Sequence, residues 1–190
     1  MMQLRTVGVA LIASSALSLT AAGCSMSGSQ PMAMPPAPAG TTAVAHIYTA
    51  DGADAGTATA TSLAGGGVRI SIDAMNLPQG PHGAHIHSVG RCDPPDFSTA
   101  GGHWNPTNTH HGVNNPQEPK PHAGDMPNLL IGTDGRGSLA VNLPAGSFTG
   151  LMDADGSAIV IHSGPDDMTS DPSGNSGSRI ACGVFSPGPA

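Results

Sequence analysis

An all-β sandwich or barrel is the fold class this sequence predicts, on three observations. Apolar and polar residues alternate at period 2 in short segments, and Gly- and Asp-rich turns separate those segments. Beyond the N-terminal leader, no stretch carries a 3.6-residue apolar repeat. The first strand is read at 41–50, "TTAVAHIYTA", and "DGADAG" turns the chain after it. "TATATSL" at 57–63 alternates Thr with Ala, Gly65 to Gly67 turn again, and "VRISIDAM" at 68–75 sets Val68, Ile70 and Ile72 on one face. Further strands are read at 83–89, 128–132, 137–143, 157–163 and 179–185. About eight short strands joined by turns form two packed sheets or one closed sheet.

Residues 1–24 stand apart. Arg5 is followed by an apolar, Ala- and Ser-rich run ending in "TAAGC", the pattern of an export signal. The run is too short and too rich in small residues for a membrane span. Its ending resembles a bacterial lipobox, which implies lipidation of Cys24, although Ala21 stands where Leu is usual. Residues 25–40 carry no charge and are rich in Ser, Pro, Met, Ala and Gly, so they read as a flexible tether. Met26, Met32 and Met34 offer soft sulfur to copper(I), but a linker of mixed small residues is the simpler reading. The remainder, 41–190, is the right size for one domain with its own core.

With a formal net charge of -7 and no basic stripe, a nucleic-acid partner is excluded. The expected place is the periplasm or cell envelope, with membrane contact only through an N-terminal lipid. A homodimer is compatible with the sequence. Of three cysteines, Cys24 belongs to the leader, and Cys92 and Cys182 most simply form one disulfide in an exported domain.

Two segments break the strand rhythm: 90–126, rich in His, Pro, Asn and Gly, and 164–178. Long loops inside a compact domain are functional or pinned, and the histidines suggest metal as the pin. His85 and His87 lie two positions apart on a strand, hence on one face. His103, His111, His122 and Asp125 supply three imidazoles and a carboxylate, a tetrahedral set suited to zinc. His110 competes with its neighbour His111, and the following Gly112 favours His111. His162, on a distant strand, completes a nitrogen-rich set suited to copper. His46 reads as an ordinary surface or satisfied histidine.

The motifs "HGAHIHSVGRC", "GGHWNP", "HHG", "PHAGD", "IVIHSGPDD" and "GSRIACGV", in that order, resemble those of the copper–zinc superoxide dismutases of the bacterial exported type. The resemblance covers roughly residues 44–185. It implies an eight-stranded Greek-key β-barrel with long metal-binding loops, and an oxidoreductase that disproportionates superoxide to dioxygen and hydrogen peroxide, protecting the cell envelope. It implies copper held by His85, His87, His103 and His162, and zinc held by His103, His111, His122 and Asp125. His103 then bridges the two metals and carries a proton. Arg179 attracts the superoxide anion, and Cys92 pairs with Cys182. Asp166, in preference to Asp167, links a copper histidine to a zinc histidine, and His82 bonds backbone without being a ligand. The segment 164–178 has Asp166, Asp167 and Asp171 but no Lys or Arg, so long-range steering of the anion is expected to be weak. Lys120 is the candidate to supply part of the missing positive charge.

Overall fold

The computed structural model describes residues 35–189. The leader, Cys24, Met26, Met32 and Met34 lie outside the described residues. Among the described residues there are ten strands: β1 (Thr42–Thr49), β2 (Asp54–Ser62), β3 (Val68–Ala74), β4 (Gly80–His82), β5 (Ala84–His87), β6 (Leu129–Ile131), β7 (Gly137–Leu143), β8 (Ala158–His162), β9 (Arg179–Val184) and β10 (Ser186–Pro187). A 3₁₀ turn at Ser98–Ala100 and one α-turn, α1 (Phe148–Leu151), complete the set. Ser147 caps α1, its hydroxyl accepting from Gly150 N–H at 3.0 Å.

One antiparallel sheet runs β5-β8-β9-β1-β2-β3-β7, and β10 adds to β1. β4 pairs with β6. A tight turn, in which Gly132 N–H donates to Arg136 O at 2.8 Å, then leads β6 into β7 and sets this pair beside the sheet edge. The chain passes from β7, at one edge, to β8, beside the other edge. The sheet is therefore curled, with crossovers of the Greek-key kind. Against the sequence expectation, β2 begins three residues early, β5 is shorter, and β4, β10 and α1 are additional. All are short enough to lack a readable period. Ordered contacts also start ahead of Thr41: Gly40 N–H donates to Ser62 O at 2.9 Å, and Ala37 packs on the core.

Alternation explains where the core lies. Ala43, Ala45 and Ile47 of β1 face inward, as do Ala58 and Ala60 of β2 and Val68, Ile70 and Ile72 of β3. The small alanines of β1 and β2 share one core cluster with the isoleucines of β5 and β8. β5 and β8 are buried on both faces. Ile86, Ile159 and Ile161 enter the core, so His85, His87, Val160 and His162 must point the other way. That outer face is covered by the loops. Phe97, Ala100 and Cys92 form a second small cluster on Ala158, Val160 and Cys182.

The Cys92–Cys182 disulfide is formed, with Cα atoms 5.7 Å apart and a sequence separation of 90 residues. It ties the loop after β5 to β9.

Candidate metal centre

His85 and His87 leave β5 on its outer face, and the loop bearing His103 folds back beside them through a bridge between His87 and His103. A second bridge joins His85 to Asp125. His162 ends β8, opposite Arg179 at the start of β9. Four segments far apart in sequence thus meet over one strand face.

Each ring is oriented through one nitrogen, which leaves the other for a ligand role. His87 Nδ1–H donates to Gly101 O at 2.9 Å, and His162 Nδ1–H to Gly177 O at 3.3 Å. His85 Nε2 bonds Asp166 Oδ2 at 2.7 Å. The remaining atoms, His85 Nδ1, His87 Nε2, His103 Nε2 and His162 Nε2, are buried and have no hydrogen-bond partner among the described residues. Ring nitrogens of these four residues lie within 4.8 Å of one another. A buried polar atom without a partner is costly, and four converging in one place fit a cation that prefers imidazole nitrogen, as copper does. Burial pushes the His85 imidazole down to about 3 and His162 to about 4, and it lowers His87 and His103 as well. All four are therefore neutral at pH 7, as ligands must be.

The second set shares His103. Its Nδ1 lies 2.9 Å from Asp125 Oδ1, and His111 Nδ1 and His122 Nδ1 lie 3.1 and 3.2 Å from that same oxygen. Three imidazole nitrogens around one carboxylate oxygen make an N₃O donor set, the kind that suits zinc. Asp125 Oδ2 is fixed by the N–H groups of Gly112 and His122 at 2.8 and 3.1 Å. Burial raises the Asp125 carboxyl, but its histidine and backbone donors outweigh that and hold it well below the ordinary carboxylate range. Burial likewise opposes charge on His111, but Asp125 and Asp166 together raise it to about 9 in the metal-free chain. His103 thus stands in both sets, one through each ring nitrogen.

Asp166 joins the sets from outside, with Oδ2 on His85 Nε2 and Oδ1 on His111 Nε2 at 3.0 Å. Asn128 brackets its backbone: the amide oxygen accepts from Asp166 N–H at 2.8 Å, and the amide donates to Asp166 O at 2.9 Å. Gly174 passes so close that a Cβ there would land on Asp166 Oδ1 and His111 Nε2, and its φ is +63°. Asp167 is exposed and caps its own turn, accepting from Thr169 and Ser170 N–H at 2.9 and 2.8 Å. His110 is also outside the cluster, paired with Asp171 at 2.8 Å. His82 is buried in neither set; its ring nitrogens face His162 O at 2.7 Å and Pro78 O at 2.8 Å. His46 lies exposed on β1.

Arg179 is half-buried. Its guanidinium donates to Phe97 O at 2.6 Å and Gly101 O at 2.7 Å. The latter oxygen also accepts from His87, so the arginine and a metal-set ring share one anchor. Burial lowers the guanidinium from its ordinary value and nearby Asp96 pulls it back. Lys120, expected to add positive charge, is spoken for: its ammonium donates to Asn115 O and pairs with Glu118 at 3.2 Å. Arg91 likewise pairs with Asp93. The residues that sequence reasoning missed are Asn115, Asn128 and the phenylalanine and glycine carbonyls that hold Arg179. A lone Asn or a main-chain oxygen has no sequence signature.

Residues 54–185 match the profile of a family described as copper/zinc superoxide dismutase. The chain is 51% identical over 126 residues to superoxide dismutase [Cu-Zn] 1 of Aquifex aeolicus, spanning 62% of this chain and 72% of that protein. The crystal structure of a SOD-like protein from Bacillus subtilis is similar with a TM-score of 0.70 at 40% identity, covering 74% of this chain and 96% of that one. The Cu/Zn superoxide dismutase from Brucella abortus gives a TM-score of 0.63 at 30% identity, covering 76% and 99%.

Proposed function

This chain belongs to the copper/zinc superoxide dismutase family, and on that premise we propose which of its residues carry superoxide dismutation and where it takes place. Copper and zinc are its metals, and superoxide its substrate. Two superoxide anions and two protons give one dioxygen and one hydrogen peroxide. Copper would be held by His85, His87, His103 and His162, and zinc by His103, His111, His122 and Asp125. The observation that carries this reading is the convergence of four buried, unpartnered imidazole nitrogens, counted among the described residues.

When bound, copper supplies the redox step by alternating between its divalent and monovalent states, while zinc adds fixed charge without redox chemistry. The chain's own residues do the rest. Arg179 receives the anion, because it is the cation next to the His162 end of β8 and two carbonyls hold its guanidinium in place. His103 holds and returns a proton at Nε2, with Nδ1 kept on the zinc side by Asp125. Asp166 and the Gly101 and Gly177 carbonyls orient the rings and keep their tautomers, which raises ligand basicity. His82 props the backbone at His162.

Bacterial copper/zinc superoxide dismutases are generally periplasmic. For this chain we place the domain, 41–190, in the periplasm or cell envelope, exported by residues 1–24 and held to a membrane through a lipid on Cys24. The support is the "TAAGC" ending and the uncharged segment after it. Radiolabelled fatty acid should appear on the wild-type chain and not on Cys24→Ser; equal labelling of both sinks the anchor.

The assignment is tested by metal analysis and superoxide consumption on the purified chain. One copper and one zinc per chain with rapid consumption are expected. Full metal content without consumption refutes the catalytic reading. His111→Ala should lose zinc while His110→Ala keeps it; equal loss would overturn the choice between these neighbours.

A further inference from the structure

The loop 164–178 reaches the zinc set at a second place that involves no ring at all. Asp171 Oδ1 accepts the backbone N–H of His111 at 2.6 Å. The His111 carbonyl accepts from Asn115 Nδ2 at 3.0 Å. Asn115, buried to 2% exposure, also donates to Thr169 O at 2.9 Å and faces Asp171 Oδ2 at 3.3 Å. The two peptide groups flanking His111 are thus held by a carboxylate and an amide that are themselves tied across the loops. Asn114 N–H donates to Met168 O at 2.9 Å, and Gly112 packs directly on that carbonyl.

From this geometry we infer that Asp171, with Asn115, is a positioning residue for the zinc site: it sets the main chain of His111, and through it the ring. The inference rests on the assignment of His111 as a zinc ligand. The segment carrying His111 has no regular structure between the 3₁₀ turn and β6, so no strand or helix ladder fixes its backbone. A hydrogen bond from a peptide N–H to a carboxylate is stronger than a neutral one. Removing it leaves the His111 N–H unpaired and lets the peptide rotate, which carries Nδ1 away from Asp125 Oδ1. Three of the four copper-set histidines, His85, His87 and His162, lie on β5 and β8, whose ladders are independent of Asp171, and the shared His103 is held by its bridge to His87. The two metals should therefore respond differently. His110 pairs with the same carboxylate from the solvent side, and its loss leaves the His111 contact standing.

The test uses the full chain with its disulfide intact. Zinc affinity is measured against a competing chelator, copper affinity in parallel, and cobalt(II) is placed in the zinc set as a visible reporter of ligand geometry. Asp171→Ala should weaken zinc about tenfold to a hundredfold, the range seen when groups supporting metal ligands are removed. It should also change the shape of the cobalt bands, while copper affinity stays within about threefold. Asp171→Asn keeps the acceptor for the His111 N–H and should restore wild-type cobalt bands, and His110→Ala should bind zinc as wild type does. Should Asp171→Ala fail to fold, Asp171→Ser is read by the same criteria. Unchanged zinc affinity and cobalt bands in the Ala or Ser variant would overturn the inference, as would zinc and copper weakening in step. A wild-type chain that takes up no zinc, or a His111→Ala chain that binds it normally, would remove the ligand assignment itself.

Discussion

Stripping both metals should make the fold acid-labile in a window set by the copper-side histidines. Burial holds His85 at about 3 and His162 at about 4, against about 6.5 in an unfolded chain, and lowers His87 and His103 too. Below pH 6.5 the unfolded chain gains protons that the folded chain refuses. Each such proton costs the fold about 1.4 kcal/mol per pH unit. Between pH 6.5 and 4.5, His85 and His162 alone remove about 5 kcal/mol, and His87 and His103 add to that loss. Whole-domain stabilities are about 5–15 kcal/mol, so the metal-free fold should lose a large share of its stability by about pH 4.5. The other shifted groups do not offset this. His111, raised to about 9, binds its proton in both states below pH 6.5; its contribution is constant there and is lost only as pH rises through about 9. Asp125 and Asp166 are held low by their histidine partners, so their contribution persists above pH 3.8 and falls away only in stronger acid. The assay is urea unfolding at a series of pH values, read from the single tryptophan, Trp104, which follows His103 in the chain. The metal-free midpoint should fall steadily from pH 7 to 5, while the copper- and zinc-loaded chain stays level until its metals leave. A metal-free midpoint that is flat over that range would refute the reasoning.

Replacing Arg179 by Ala removes one charge-assisted contact to the anion, worth about 1.5–3 kcal/mol. kcat/KM for superoxide should then fall about tenfold to a hundredfold with metal content unchanged; a drop below twofold would deny Arg179 its role. Cys92→Ser opens a 90-residue loop and should cost about 4–5 kcal/mol on the chain-entropy account. It should also lower activity in the surviving folded fraction, because the loop it releases holds Arg179 through Phe97 and Gly101; denaturant melts and specific activity check the two parts. With Lys120 and Arg91 both occupied by carboxylates and a net charge of -7, kcat/KM should depend only shallowly on ionic strength. A steep decline with added salt would show that steering operates after all.

How much of this was legible in the sequence follows from how far each feature reaches. Alternation is local, so the main strands could be read directly from segments such as "VRISIDAM", and the spacing of His85 and His87 put both on one face of β5. Three-residue β4 and one-turn α1 were not legible, since a period cannot repeat within them. The ligand candidates were legible for a chemical reason. Three imidazoles with an aspartate at such spacing match a zinc donor set. The supporting bonds were not. Asp171 and His111 are 60 positions apart, Asn128 and Asp166 are 38 apart, and Arg179 and Phe97 are 82 apart. In each case one partner is a main-chain group, which any residue type supplies equally. Nothing in the letters distinguishes the aspartate that takes such a bond from one that solvates a turn. Asp167 and Asp171 look alike as text, yet one caps its own loop and the other grips the backbone of a metal-set histidine. The same limit misled the reading of Lys120. A lone cation in a loop with few charges looks available for an anion, but Asn115 and Glu118 already hold its head group. Side-chain chemistry marks the candidate donors, while main-chain contacts across two irregular loops hold the segments that carry them.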